Sequence, residues 1–272
     1  MAEQGADNSE FEGGQMTLIG HLTELRNRLG IALAAFLLLF MLSVAPLPGT
    51  TSNSIAYQVF IFLQAPLAEI LQQRGGGRMI FTALHEGFFT QIKVGFFTSL
   101  CITFPIISMQ IWKFIAPGLY RDERRAFLPF LLATPILFAL GASMVYYIVT
   151  PLAWEFFVSF EMAGGDGALA IELEPRISEY LSLMMRLIFA FGLAFELPVI
   201  LLLLARAGIV TAVGLAEKRK VAIVVAFVVA AILTPPDVIS QLLLAIPIIL
   251  LYEISILGAR WIAPPMQEFD NS

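Results

Sequence analysis

A chain of 272 residues carries a net charge of −5, is 58% hydrophobic and only 14% charged, and has a mean hydropathy of +0.84. That composition cannot supply a water-facing shell, so a soluble cytosolic enzyme is excluded and the chain is expected in a bilayer. The single Cys101 excludes an intramolecular disulfide, and His21 and His85 lie too far apart in sequence to suggest a metal site, so no metal or cofactor is expected.

The opening stretch MAEQGADNSEFEGGQ is acidic and lacks the basic region and small-residue cleavage site of a secretory signal. Residues 1–15 are therefore expected to be a retained, disordered polar tail. No charge occurs between Arg28 and Glu69, between Lys93 and Lys113, or between Arg125 and Glu155, and gaps of this length mark membrane spans. Helices are the natural solution, because lipid offers no partner to a free backbone group. Six spans are predicted, over residues 29–47, 90–111, 127–150, 179–205, 220–234 and 238–257. The segment SIAYQVFIFLQAPLAEILQQ between the first two is apolar, but Gln58, Gln64, Pro66 and Glu69 interrupt it. It is predicted to be extramembrane helix and loop, ended by Gly75–Gly77. Spans five and six are predicted to be short, since 15 residues cover only about 22 Å of a hydrocarbon core of about 30 Å. Pro105, Pro135, Pro198 and Pro247 fall inside spans and should bend them.

Lys and Arg fix the orientation, because cytoplasmic loops carry their excess. Arg26, Arg28, Lys113, Arg121, Arg124, Arg125, Arg206, Lys218, Arg219, Lys220 and Arg260 fall on one side, against Arg74, Arg78 and Arg176 on the other. Both termini are thus expected in the cytoplasm. Lys93 and Arg186 fall within spans.

Several acids could carry function. Glu24 lies in HLTELRNRL, where Leu18, Leu22, Leu25 and Leu29 mark one face and His21, Glu24 and Arg28 the other, the pattern of an interfacial helix. An ion pair with Arg28 at i, i+4 is the ordinary reading of Glu24. Glu123 in PGLYRDERR has an equally ordinary reading, as one acid in a basic loop. Glu196 is different, because FGLAFELPV places it near the middle of span four, and intramembrane ionisable groups mark function unless protonated and hydrogen-bonded in the core. Arg186 is ten residues away and cannot face it along one helix; it is expected to snorkel toward the outer surface. Asp237 follows Thr234-Pro235-Pro236 and could cap span six, with Gln241 beside it. Glu253 and Lys93 read as interface residues. Trp112, Trp154, Tyr120 and Trp261 suit the aromatic belts.

HLTELRNRL before span one, Gln110-Ile111-Trp112 and PGLYRDERR after span two, FGLAFELPV in span four and LTPPDVISQLLLAIPIILLYE across spans five and six occur in one order. In that order they resemble the TatC family, the receptor subunit of the twin-arginine protein translocase, over residues 16–260. The resemblance implies a six-span all-α protein of the bacterial cytoplasmic membrane that is not an enzyme. It implies binding of signal peptides bearing an Arg pair and transport of folded proteins driven by the proton-motive force. TatA- and TatB-type single-span subunits and other TatC copies are the implied partners. It also carries Glu24 and Glu123 over as twin-arginine contacts, Phe114 and Pro66 as positions serving receptor function or assembly, and Glu196 and Asp237 as the membrane and outer-turn acids. A secondary transporter or proton channel is the alternative that Glu196 and the kinked helices suggest; an intramembrane hydrolase lacks a His in any predicted span.

Overall fold

The computed structural model describes residues 18–47, 53–73, 76–115, 124–162, 169–234 and 237–262. Among them are ten α-helices and no β-strand: α1 (Leu18–Val44), α2 (Ile55–Gln73), α3 (Glu86–Ile115), α4 (Arg124–Met144), α5 (Thr150–Val158), α6 (Ile177–Ala194), α7 (Leu197–Arg206), α8 (Ala212–Glu217), α9 (Arg219–Leu233) and α10 (Val238–Ile262). The predicted N-terminal tail, residues 1–15, and Glu123 lie outside the described residues; of the predicted C-terminal tail, residues 261–272, the first two belong to α10 and residues 263–272 lie outside the described residues.

Proline divides two of the spans. Pro151, the second residue of α5, has no N–H to return to the preceding turn. One π-helical turn, Val145–Val149, absorbs the mismatch, with the Thr150 N–H donating to the Val145 carbonyl. The predicted fourth span breaks outright: α6 stops at Ala194, the Glu196 N–H donates to the Leu193 carbonyl at 3.0 Å, and Pro198 opens α7. Pro198 cannot bond the Ala194 carbonyl, so the break falls at Phe195–Glu196.

By length and apolarity six described helices can cross a membrane: Gly20–Val44, Ile55–Gln73, Glu86–Phe114, Pro129–Val158, Ile177–Arg206 and Val238–Ile262. This set includes α2, which the sequence put outside the membrane, and omits the 15-residue α9. Contacts place both helices. A Cβ on Gly95 would meet Ala56 of α2 at 3.5 Å, so α2 begins beside the tenth residue of α3. Seven residues later the Leu63 carbonyl accepts from Tyr180 Oη at 2.7 Å, and Tyr180 stands in the first turn of α6. Only the first part of α2 runs beside the bundle, and the rest continues past the starts of α3 and α6. The short helix α9 instead lies along α10. Arg219 Nε donates to Glu253 Oε1 at 2.7 Å near one end, and Gln241 Nε2 donates to the Phe227 carbonyl at 3.2 Å toward the other. Only α9 is short; α10 has 25 residues, correcting the expectation of two short C-terminal spans. It continues past Glu253 because Ile256 and Ala259 remain buried against Ala205 and Leu215.

Two further expectations are corrected. HLTELRNRL is not a separate interfacial helix but the first turns of α1. Trp154 is not in an aromatic belt: it is buried, with its ring 5.2 Å from Tyr180 and 5.8 Å from Phe157.

The core is built where α4–α5 and α6 cross, around Val145, Leu181, Met184 and Phe191, with Leu63, Leu67, Val94 and Leu244 joining from α2, α3 and α10. Large apolar side chains also point outward on α1, α9 and α10, among them Leu29, Leu38, Met41, Val224 and Ile254. In lipid such exposure costs nothing, and helix contact depends instead on close packing and polar links. Ser99 Oγ donates to Ser43 Oγ at 3.1 Å between α3 and α1, and a Cβ on Gly141 would lie 2.5 Å from the Phe191 carbonyl oxygen.

Candidate functional site

The start of α1 lies against the end of α3. The His21 imidazole stacks on the Phe114 ring with centroids 4.3 Å apart. The polar face of α1 thus turns toward the bundle while Leu22 and Leu29 are exposed, the reverse of a helix on a soluble protein. Glu24 stands on the same face as His21, one turn along. Its Oε1 accepts from Arg28 Nε at 2.9 Å and from Nη2, whereas its Oε2 is buried without a hydrogen-bond partner. Half of the carboxylate is therefore unsatisfied, which a simple i, i+4 pair does not require. The expected pair with Arg28 is present, and it leaves one carboxylate oxygen without a hydrogen bond.

Glu196 occupies the N-cap of α7 and its side chain makes no capping bond. The residue is buried, and its Oε1 has no hydrogen-bond partner. It faces a cavity of about 590 Å³ lined by Phe104, Ser108 and Trp112 of α3, Thr134 of α4, and Ile200, Leu203 and Leu204 of α7. Phe104, Ser108 and Trp112 recur every fourth residue and so form one stripe of α3. That stripe leads from the depth of Glu196 to within two residues of Phe114. A membrane-embedded acid and the Glu24 surface are thus reached along the same helix.

The close crossing of α4 and α6 fixes Glu196 in place. Gly192 packs directly on the Phe138 ring, which stacks on Phe104 at 4.0 Å. No side chain larger than hydrogen fits there, so the end of α6 is held against α3 and α4.

At the other end of the bundle Asp237 caps α10, its Oδ1 accepting from the Ser240 N–H at 2.7 Å. Its Oδ2 is buried without a partner. Gln241 does not cluster with Asp237 but bonds the α9 carbonyl of Phe227. Pro66 is buried in α2. Lacking an N–H, it frees the Phe62 carbonyl, which Tyr146 Oη bonds at 2.9 Å while the two rings stack at 4.2 Å. Pro66 therefore creates the acceptor by which α2 docks on the π-helical turn.

Sequence reading passed over one network. Glu86, buried at the start of α3, accepts from Arg176 Nε at 3.0 Å, Ser178 Oγ at 2.6 Å and the Thr82 N–H at 3.1 Å. Its carboxylate, hydrogen-bonded to Arg176, raises the pKa of that guanidinium above its ordinary value. The network clamps α3 to α6, parallel neighbours. Glu86 and Arg176 are 90 residues apart, and no local pattern joins them.

Comparison with known proteins identifies the architecture. The profile of the family described as Sec-independent protein translocase protein (TatC) matches residues 20–247. The chain belongs to the TatC family. The Sec-independent protein translocase protein TatC of Magnetococcus marinus is 52% identical over 245 residues, which cover 90% of this chain and 84% of that protein. That of Escherichia coli strain K12 is 40% identical over 244 residues, covering 90% and 88%. A crystal structure of the twin-arginine translocase receptor TatC superposes with a TM-score of 0.73 at 40% identity, covering 89% of this chain and 99% of that one. The chain is thus a multi-pass membrane protein of a family of protein translocase components, with a role in transport. Among the described residues no group of three or more His, Cys, Asp or Glu could hold a metal ion.

Proposed function

We propose that this TatC-family chain is the receptor that reads twin-arginine signal peptides at the end of the bundle where α1 starts and α3 stops. Glu24 and Glu123 each take one arginine of the pair, and Phe114 supplies an apolar wall. The observation that carries this reading is the half-satisfied Glu24 carboxylate beside Phe114. A planar guanidinium suits a carboxylate with a free oxygen, whereas a lysine ammonium lacks the matching fork. Arg28 holds one oxygen of Glu24 and so keeps the carboxylate oriented until a second guanidinium arrives.

In the same reading this end faces the cytoplasm of a bacterial cell, and both termini lie there. The Glu196 cavity receives a polar contact from a single-span TatA- or TatB-type helix, and further copies of the chain assemble around it. Asp237 and Pro66 serve that assembly from the opposite end. Folded cargo crosses the cytoplasmic membrane at the expense of the proton-motive force, without catalysis by this chain. A proton channel or secondary transporter would need a relay, and among the described residues the polar neighbours of Glu196 in its cavity are Ser108, Thr134 and the Trp112 indole.

A double-mutant cycle on signal-peptide affinity tests the receptor reading. Glu24→Gln and Glu123→Gln are each combined with Arg→Lys at each position of the peptide's arginine pair. Losing a hydrogen bond to a charged group costs about 1.5 to 3 kcal/mol, so either variant should weaken binding roughly tenfold to a hundredfold. Each acid should couple to one arginine. Coupling near zero for every pair, in a folded protein, would remove these acids from peptide recognition.

A further inference from the structure

Two cations lie within spans and have no role in the receptor reading. Lys93 is the eighth residue of α3 and Arg186 the tenth of α6. Both are exposed, and neither has an ion-pair or hydrogen-bond partner among the described residues. The Glu86–Ser178 bond levels the starts of the two helices, so the cations sit about 10 and 14 Å below that level at 1.5 Å per residue. Both lie within the predicted spans over residues 90–111 and 179–205, where an uncompensated cation is costly.

Lys93 and Arg186 line one cavity of about 360 Å³ together with Ser178, Glu179 and Ser182. Ser178, Ser182 and Arg186 recur every fourth residue, so hydroxyls rise from Arg186 to the helix start on one face. Glu179 is the one acid in this lining, and it already accepts from Arg176 Nη1 at 3.2 Å. Ser178 donates to Glu86, which leaves the Ser182 hydroxyl and two cations uncommitted.

Arg186 also lines a second and larger cavity of about 680 Å³, which extends between α6–α7 and α9 from Leu233 down to Lys218. Apart from Arg186, Lys218 and Tyr252, its walls are aliphatic or phenyl, with Ala190, Ala194, Ala222 and Ala226 leaving room between the helices. Arg186 thus lines both a polar pocket with two free cations and an apolar groove. The charge calls for an anion and the groove for hydrocarbon.

We propose that this joint is a binding site for one anionic phospholipid. Its phosphate lies between Lys93 and Arg186 and accepts from the Ser182 hydroxyl, while an acyl chain runs along Ala190, Ala194, Val225 and Ala222. The phosphate faces both cations without moving either helix, and its single negative charge offsets one of the two. It also fills the space that separates α9 from α6, bracing the short α9 against the rest of the bundle. The site stands on observations separate from the peptide-binding end, so neither proposal falls with the other.

Native mass spectrometry of the full chain in detergent, titrated with phosphatidylglycerol or phosphatidylcholine, tests the site. One phosphatidylglycerol should bind tightly, favoured over phosphatidylcholine by roughly tenfold, as expected from two cations near a phosphate. The double variant Lys93→Gln/Arg186→Gln should bring the two lipids to equal affinity. Val225→Trp, which fills the groove and leaves both cations, should weaken both lipids together, and millimolar glycerol 1-phosphate should not displace the bound lipid. Equal binding of the two lipids by the parent chain, or an unchanged preference in the double variant, would overturn the proposal. Displacement by glycerol 1-phosphate would show that the cations take a free phosphate and not a lipid. In membranes, a photocrosslinker at Val225 should mark lipid; capture of a protein helix there would assign the groove to a partner subunit and defeat the acyl-chain assignment.

Discussion

At the level of single residues, two positions differ in how their polar groups are satisfied. Glu196 leaves a buried carboxylate oxygen without a partner, an arrangement that costs stability wherever it occurs. Glu196→Gln keeps the shape and removes the charge. It should therefore leave thermal unfolding in detergent unchanged or raise its midpoint, while lowering transport and crosslinking to a partner helix. Wild-type transport in that variant would reduce Glu196 to a core residue. Pro66 illustrates the opposite case, in which every freed group finds a partner. Tyr146→Phe removes the hydroxyl that satisfies the Phe62 carbonyl and should cost about 1 kcal/mol. In a Pro66→Ala background the new N–H can bond that carbonyl within α2, so the same Tyr146→Phe change should cost measurably less. Equal costs in the two backgrounds, read from unfolding midpoints, would deny the link between Pro66 and Tyr146.

Where whole helices meet, two glycines set the geometry that places Glu196. A Cβ on Gly141 would meet the backbone oxygen of Phe191 at 2.5 Å, and backbone cannot step aside as a flexible side chain can. Gly141→Ala should therefore force α4 and α6 apart and cost about 1 to 3 kcal/mol, the usual scale of overpacking. Gly30→Ala is the control, since nothing lies within 4 Å of a Cβ there, and helix propensity should make it neutral or slightly stabilising. Similar unfolding midpoints for the two variants would contradict the tight crossing. These helices also show what the amino-acid pattern reveals. Charge-free runs and prolines announce the spans and their bends, because bilayer thickness and missing N–H groups act locally. The capping of α10 by Asp237 was likewise readable from its position before the helix. The outward turn of Leu22 and inward turn of Glu24 were not, because apolar and polar faces exchange roles when lipid is the solvent. Nor was the burial of Trp154, which depends on Tyr180 from a helix some 26 residues further on. The Glu86–Arg176 clamp and the Tyr146 bond to Phe62 are likewise products of tertiary assembly.

Across the whole molecule, the basic residues gather where α1 starts, α3 ends, α7 ends, α8 meets α9 and α10 ends. His21 on Phe114 joins two of these elements. The 590 Å³ cavity joins α3 to the segment after α7, and Arg219 on Glu253 joins α9 to α10. With α1, α3, α4–α5, α6–α7, α9 and α10 as the six passages, an even number of crossings brings the chain back to the side on which it began. The excess of Lys and Arg should keep that side in the cytoplasm. Single cysteines introduced after residues 75, 123, 170, 214 and 265, in a background with Cys101→Ala, should be labelled, protected, labelled, protected and protected when intact cells are treated with an impermeant maleimide. The site at residue 75 is the discriminating one. α2 has the length and apolarity of a span, and a full crossing by α2 would carry residue 75 inward and reverse the side of every later loop. Its attachment to Gly95 at one end and to the first turn of α6 seven residues later leaves too little of it within the bundle for that. Protection at residue 75 with labelling at residue 123 would overturn both the orientation and the placement of α2, and would move the Glu24 surface away from the peptides it is proposed to read.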